Sequence, residues 1–363
     1  MKLAPQQDQA AKAVNEWLRD PAGKQFFYLA GYAGTGKTTI ARYLAEDVGS
    51  VVFAAFTGKA ALVLQSKGCD PASTIHSLIY KIENPDHPVP RFIINRDSPI
   101  VGADLVIIDE VSMVGEELGR DLMSFGKRIL VLGDPAQLPP IDGAGFFTSG
   151  EPDFMLTEVH RQAEGNPIIR LSMIVREGGR LERGTFGESR VITRDDLRTE
   201  EVLAADQVLV GKNLTRRKYN QRIRELLGFE GFFQPKDRVV CLKNYKDKGL
   251  LNGGIWTVDE VRGQTEETTK MVVVPLDNGM IKMPVEVVTH HAWTQGKENE
   301  LDWRVAKQFQ PFDFAYALTC HKAQGSQWDK VVLFDESWCF REDAARFLYT
   351  GITRAAEQVT VIL

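Results

Sequence analysis

No stretch of this chain is apolar for long enough to cross a bilayer. Its longest uncharged apolar runs, such as Val51 to Phe56, fall far short of the roughly 20 residues a spanning helix needs. The opening residues, MKLAPQQDQAAK, hold no apolar signal core, so a cytoplasmic protein with no membrane partner is expected. Cysteine is scarce. Cys69, Cys241, Cys320 and Cys339 sit at no metal or redox spacing, which fits a reducing compartment and buried thiols. His290-His291 has no further ligand at metal spacing and reads as a loop pair rather than a zinc site. Nor is positive charge in excess, because 44 Lys and Arg face 49 Asp and Glu for a net charge of -5. That excludes a surface coated in basic residues but leaves room for nucleic acid in a local channel. Positive charge gathers at Arg216-Arg217-Lys218 and between Lys236 and Lys248, where a phosphate track and a solvated face or charged hairpin are equally open. With 363 residues, 43% of them apolar, the chain can bury more than one core, and two domains with insertions are expected.

What is present is a phosphate-binding loop. Gly31 to Thr38 read GYAGTGKT between an apolar strand, Phe26 to Ala30, and a helical run, Thr38 to Glu46. Backbone N–H groups at such a strand-to-helix turn cradle phosphate oxygens. Lys37 would reach the β- and γ-phosphates and the Thr38 hydroxyl would hold Mg²⁺. A second buried strand, Leu105 to Ile108, ends in Asp109-Glu110, with Asp109 expected to hold the metal through water and Glu110 to polarise the attacking water. Two acids at a strand end are weak evidence alone. Together with the loop they point to a nucleotide hydrolase with a Mg²⁺ site.

The remaining motifs carry a resemblance. In chain order stand LAPQQDQA (Leu3 to Ala10), GYAGTGKT, AFTGKAA (Ala55 to Ala61), STIHSL (Ser73 to Leu78), IIDEVSM (Ile107 to Met113), GDPAQLPP (Gly133 to Pro140), LTEVHRQ (Leu156 to Gln162), ALTCHKAQGSQ (Ala317 to Gln327) and YTGITRA (Tyr349 to Ala355). This ordered series resembles the superfamily 1B DNA helicases of the RecD-like and phage Dda-like branch, and it runs from residue 3 to 355. Gln327 departs from the glutamate often found after QGS in RecD-like members, which puts any carboxylate role there in doubt.

The resemblance implies roles residue by residue. Gln7 would read the adenine edge, or else is a surface-exposed polar helix start. Gly31, Gly34, Thr35, Gly36, Lys37, Thr38, Thr39, Asp109 and Gly325 would contact the nucleotide. Gln137 would sense the γ-phosphate, or else belongs to a polar turn. Arg161 and Arg354 would neutralise charge on the transferring phosphoryl group across a cleft that must close, unless they are structural ion pairs. Thr57, Lys59, Thr74, His76, Thr319, His321 and Lys322 would line a nucleic-acid path and hold phosphate and sugar without reading sequence. For His76 and His321 a buried, carbonyl-bound histidine is the alternative.

The architecture implied is α/β, with two RecA-like P-loop NTPase lobes. Lobe 1A would span 1–150 with a hairpin insertion at about 79–100, where Pro85, Pro88 and Pro90 precede RFIIN. Phe92 or Ile93 could tip a strand-separating wedge there, or the hairpin could simply pack on its lobe. Lobe 2A would span 151–228 and 312–363, with Asp206 to Leu227 as a strand and a basic helix capped by Asn213 or Thr215. An SH3-like insertion at 229–311 is suggested by the β-rich runs Arg238 to Lys243, Gly254 to Val261, Met271 to Leu276 and Met280 to Val288. Asn252-Gly253-Gly254 and Asp277-Asn278-Gly279 would turn those strands, and Phe314 to Thr319 would rejoin the parent sheet.

The expected activity is ATP-dependent translocation on single-stranded DNA, 5′ to 3′ by resemblance alone, with unwinding of forked duplex. The chain would work as a monomer in a bacterial or phage-infected cell, alongside single-strand-binding or replication proteins. A translocase or clamp that strips proteins without unwinding, a superfamily 1 RNA helicase and a small-molecule phosphotransferase are the alternatives. The chain lacks the long N-terminal extension of many RecD relatives, which leaves a minimal stand-alone form and a truncated chain both open.

Overall fold

The computed structural model describes residues 3–84, 91–141, 143–158, 165–277 and 283–363. The chain divides into two compact units, Met1–Arg180 with Ala345–Thr353, and Leu181–Ala344 with Arg354–Leu363. Strands of the first unit are β1 (Phe26–Gly31), β2 (Val51–Ala55), β3 (Ala72–Thr74), β4 (Tyr80–Glu83), β5 (Arg91–Ile94), β6 (Leu105–Asp109), β7 (Arg128–Gly133) and β8 (Phe154–Leu156). Six of them form one parallel sheet in the order β3-β2-β6-β7-β1-β8. A parallel sheet buries both faces, and alternation along β1 shows how. Phe27 and Leu29 pack with Val14, Ile40, Leu44 and Leu64 from helices Pro5–Arg19, Lys37–Ala45 and Gly58–Ser66. Tyr28 and Ala30 pack on the other side with Ile75, Leu78, Leu118 and Leu122 from Ile75–Ile79 and Glu116–Met123. Each fully buried Leu or Ile contributes about 1.5–3 kcal/mol. Because β8 pairs with β1 through Leu29 and Phe154, the first sheet runs past residue 150, the boundary expected from sequence.

The inserted hairpin is present. β4 and β5 pair antiparallel, with Ile82 opposite Phe92. The three prolines expected at its turn lie outside the described residues.

Strands of the second unit are β9 (Gly184–Phe186), β10 (Ser189–Ile192), β11 (Gln207–Val210), β12 (Arg238–Cys241), β13 (Ile255–Gln264), β14 (Thr268–Pro275), β15 (Val285–His290), β16 (Phe312–Phe314), β17 (Ala317–Thr319), β18 (Trp328–Phe334) and β19 (Ala355–Ile362). One sheet has the order β17-β11-β18-β19-β10-β9, parallel except for the β10–β9 pair. A second, antiparallel sheet has the order β15-β14-β13-β12-β16. The expected return to the parent sheet at Phe314 comes later. β16 still pairs with β12, because Phe312 and Phe314 bury their rings with Trp256 and Val239, and only β17 rejoins. Part of the expected Asp277-Asn278-Gly279 turn, and the Met280 start of the last β-run, lie outside the described residues.

Three local expectations change. Helix Asn213–Leu226 is capped by neither Asn213 nor Thr215. Instead the buried Glu336 accepts the N–H groups of Gly211 (2.7 Å) and Lys212 (3.0 Å) and the Thr215 hydroxyl (2.6 Å). Arg216 is no phosphate track, since its guanidinium is buried on Asp313 at 2.5 Å. His291 is a core residue rather than part of a loop. It is 1% exposed, its ring stacks on Phe232 with centroids 3.5 Å apart, and its nitrogens meet the Thr269 hydroxyl and the Glu266 carbonyl. Among the described residues no group of His, Cys, Asp or Glu is placed to hold a metal, and no helix is long and apolar enough to cross a membrane. Cys69, Cys241 and Cys320 are buried free thiols, while Cys339 is half-buried.

The helix is tied to the antiparallel sheet by a buried ion pair. Both Arg224 and Asp237 lie inside, bonded twice at 2.9 Å, and the guanidinium also meets the Gly231 and Phe232 carbonyls. Removing one partner leaves an uncompensated buried charge, so Asp237→Ala should cost about 3–5 kcal/mol in urea unfolding. Lys12→Ala, which breaks the exposed Asp8 pair, should leave the midpoint unchanged.

Candidate nucleotide site and strand-binding edges

The chemistry of the first unit gathers at the C-terminal ends of its parallel strands, where α/β sheets bind ligands. β1 runs into the phosphate loop. Gly34 and Gly36 take φ of 79° and 81°, left-handed values that glycine adopts without strain. Gly31 is needed for space: a Cβ there would lie 2.7 Å from Thr35 Oγ1 and 2.9 Å from Leu156 Cβ. Helix Lys37–Ala45 begins at the loop, with Thr39 in its first turn, so its positive end faces the phosphate cradle. Lys37 Nζ donates to the Gly31 and Tyr32 carbonyls at 2.6 and 3.1 Å. Thr38 Oγ1 lies 3.0 Å from Asp109 Oδ2, which brings together the two residues expected to hold a metal. Glu110 follows at φ 55°, a strained conformation for a residue with a side chain, and its N–H donates to Asp109 Oδ1 at 2.8 Å.

Thr35 and Gln7 are used within this scaffold. The Thr35 hydroxyl donates to the Tyr32 carbonyl, and its own carbonyl accepts Gln7 Nε2 at 3.1 Å. Gln7 Oε1 accepts the N–H of the N-cap residue Ala4 at the start of helix Pro5–Arg19, satisfying one donor at that end. Gln7 is therefore a buried helix cap braced on the phosphate loop, not the exposed polar residue of the alternative reading. Gln137 is buried too, and its Oε1 has no hydrogen-bond partner among the described residues. A buried amide oxygen left in this state calls for a ligand or water.

The least anticipated link is Tyr349. It lies within the first unit, 1% exposed, and its hydroxyl accepts the Ala33 N–H of the phosphate loop at 3.0 Å while donating to Asp134 Oδ2 at 2.7 Å. Asp134 Oδ1 accepts the Ala136 N–H, and the next residue, Thr350, accepts the Leu138 N–H at 2.9 Å. Burial first, and then the Asp134 charge, hold the Tyr349 phenol far above its ordinary pKa, so it stays a donor. The resemblance assigns a role in the YTGITRA motif to Arg354 alone. The spacing of Tyr349 in a motif that ends at a nucleotide-linked arginine was the available signal.

Candidate strand contacts of the first unit follow the same edge. Thr57 and Thr74 cap the helices after β2 and β3, accepting from Ala60 and Ser77 at 3.2 Å each. Lys59 sits half-buried in the first of those helices. His76 is exposed, so it is not the buried histidine of the alternative reading. It lies 5.9 Å from both the Phe56 and Tyr80 rings, and Tyr80 in turn lies 5.9 Å from Phe92. Tyr80 is anchored by its hydroxyl on Asp121 at 2.5 Å. An aromatic series thus leads from the sheet edge to the hairpin.

In the second unit Thr319 caps Cys320–Ala323, and the His321 ring stacks on Phe340. Burial, reinforced by the Arg216 charge, lowers the Lys322 pKa, which weakens its claim as a freely charged phosphate contact. Gly325 takes φ 73° and Arg354 is buried, donating to the Ser326 carbonyl at 3.3 Å. Arg161 lies outside the described residues.

This loop, the strand-terminal acids and the parallel sheet define a P-loop NTPase domain. Residues 2–191 match the family model described as an AAA domain, and residues 314–362 match the UvrD-like helicase C-terminal domain. The chain is 29% identical over 371 residues to the ATP-dependent RecD2 DNA helicase of Deinococcus radiodurans, covering 93% of this chain and 47% of that protein. It is 24% identical over 391 residues to the ATP-dependent DNA helicase Pif1 of Bdellovibrio bacteriovorus, covering 93% and 82%. The chain spans about half the length or less of the first curated relatives it matches. Among solved structures it is similar to the Pif1 helicase from Candida albicans, with a TM-score of 0.62, 17% identity and coverage of 100% and 94%. Bacteroides Pif1 bound to single-stranded DNA is also similar, with a TM-score of 0.58, 19% identity and coverage of 99% and 92%. The chain belongs to the AAA-domain P-loop family, and its fold is the Pif1-like one of two RecA-like lobes.

The Tyr349 link makes its own prediction. Hydrogen bonds to charged groups contribute about 1.5–3 kcal/mol, so Tyr349→Phe should lower unfolding free energy by about that amount. A change below about 0.5 kcal/mol would mean that the Asp134 contact carries no net stability.

Proposed function

We propose that this chain is an ATP-hydrolysing motor that moves 5′ to 3′ on single-stranded DNA and unwinds forked duplex. The observation that carries this reading is the shared edge: the phosphate loop, Asp109-Glu110 and Gln137 stand on the same sheet ends as Thr57 and Thr74. A strand held there would feel any change around the nucleotide. The proposed polarity rests only on the resemblance of the motif series to superfamily 1B.

Thr38 and Asp109 offer the hard oxygen donors that suit Mg²⁺, and a bound ion would neutralise charge on the phosphates. Lys37, held by two loop carbonyls, would exchange them for the β- and γ-phosphate oxygens. Gln7 would brace the loop beside the adenine. Glu110 would take a proton from the attacking water, and Gln137 would orient the γ-phosphate or that water. Arg161 and Arg354 are proposed to neutralise charge developing in the transition state. The strand contacts are proposed to be Thr57, Lys59, Thr74, His76, Thr319, His321 and Lys322.

We propose a division into lobe 1A, lobe 2A and an SH3-like insertion, with residues up to Arg180 and Ala345–Thr353 grouped with the first and β16 with the last. Single-stranded and forked DNA are the proposed substrates, with the monomer as the working form in the cytoplasm. A hairpin wedge is supported by two apolar side chains paired across strands and open to solvent, Ile82 at 53% and Phe92 at 57% exposure.

ATP hydrolysis measured with and without oligothymidine tests the reading. Turnover should rise at least tenfold with the strand, and equal rates would favour the small-molecule phosphotransferase. Lys37→Ala and Glu110→Gln should each reduce strand-stimulated turnover by about 100-fold or more, in the range seen for lost charge stabilisation or proton transfer. Of the two, only Glu110→Gln should keep ATP affinity, and wild-type turnover in that variant would contradict its role. Phe92→Ala should slow fork unwinding several-fold while sparing hydrolysis, since stacking on a base is worth about 1–3 kcal/mol against about 1.4 kcal/mol for one opened step. Equal loss of both activities would make Phe92 a packing residue.

A further inference from the structure

The second unit exposes a tryptophan on a built edge. Trp338 is 71% exposed, although Trp is among the side chains most buried on average. It sits in the turn Ser337–Cys339, just after β18. β17, β11 and β18 are adjacent and parallel, so their C-terminal ends bring the His321, Lys212 and Trp338 positions to one edge of the sheet. Lys212 Nζ lies 4.1 Å from the Trp338 ring centroid, a cation–π contact that backs one face of the indole.

This edge is held rigidly. Glu336 is 4% exposed, takes three hydrogen bonds from Gly211, Lys212 and Thr215, and stands 3.7 Å from Lys212 Nζ. A Cβ on Gly211 would come within 2.8 Å of the Phe340 ring and 2.9 Å of Glu336 Cβ, so glycine is required for the two to pack there. Phe340 in turn stacks on His321 with centroids 5.8 Å apart. The next residue, Arg341, is held at φ 50°, a strained value of the kind that marks functional turns. A packed support, an exposed aromatic face and a cation beside it are the components of a stacking platform for single strands.

We propose that Trp338, backed by Lys212, stacks one unpaired base of the single strand whose phosphates pass Thr319 and His321. This rests on the single-strand reading above and adds base contact to a path otherwise made of phosphate and sugar contacts. Every base has a π-face, so the contact grips without choosing a sequence.

The test is anisotropy of the full chain with labelled oligothymidine and with an abasic phosphodiester strand of equal length. Trp338→Ala should weaken oligothymidine binding about tenfold and leave abasic-strand affinity unchanged. Trp338→Phe should recover most of the loss, and Trp338→Leu, which keeps apolar bulk without a π-face, should not. Unchanged oligothymidine affinity in Trp338→Ala overturns the proposal, as does an equal loss on both strands, which would assign Trp338 to packing or phosphate contact. Wild-type protein that binds neither strand overturns the single-strand reading itself, and the stacking site with it.

Discussion

A parallel sheet covered on both faces leaves only the ends of its strands open to chemistry, and the first unit is organised around that constraint. β1 delivers the phosphate loop, β6 the Asp109-Glu110 pair and β7 the turn that begins at Asp134. These ends are cross-linked as well as adjacent. The Asp134 carboxylate is 2% exposed, and burying it requires the Ala136 N–H and the Tyr349 hydroxyl as donors. Tyr349 also accepts from Ala33, so a movement of the phosphate loop alters a bond that the buried carboxylate depends on. These bonds join the phosphate loop to the turn that carries Gln137.

Threonine recurs at the proposed strand contacts for a related reason. Thr57, Thr74 and Thr319 each follow or end a parallel strand and each caps the next helix. A capping hydroxyl satisfies an otherwise orphaned helix N–H and fixes where the strand-to-helix turn lies. Replacing any of them would disturb local folding together with any contact to phosphate, so loss of binding in such variants does not by itself identify a contact. Trp338 is different, because its ring is exposed and the packed support below it is made by Glu336, Gly211 and Phe340.

What was legible in the sequence was local. The phosphate loop, the acid pair and the inserted hairpin are each coded within a few residues, and the glycines and strand ends stand where the motifs put them. What was not legible depends on residues far apart in the chain. Arg216 reads as part of a basic cluster until Asp313 is seen beside it, and His291 reads as a loop residue until Thr269 and Phe232 enclose it. Helix Asn213–Leu226 carries two plausible capping residues of its own, yet a carboxylate from beyond β18 does the work. The sequence expectation puts Phe312 and Phe314 in the parent sheet, yet β16 pairs with β12, because two phenylalanines alternate equally well in either.

Unwinding of forks that carry a 5′ tail, a 3′ tail or no tail, measured with ATP hydrolysis in the same reactions, tests the motor reading most directly. Efficient opening of the 5′-tailed fork alone, with hydrolysis stimulated by either single-stranded tail, is the result the proposed function predicts. Opening of the 3′-tailed fork alone would contradict the proposed direction, and hydrolysis indifferent to all three substrates would contradict the motor.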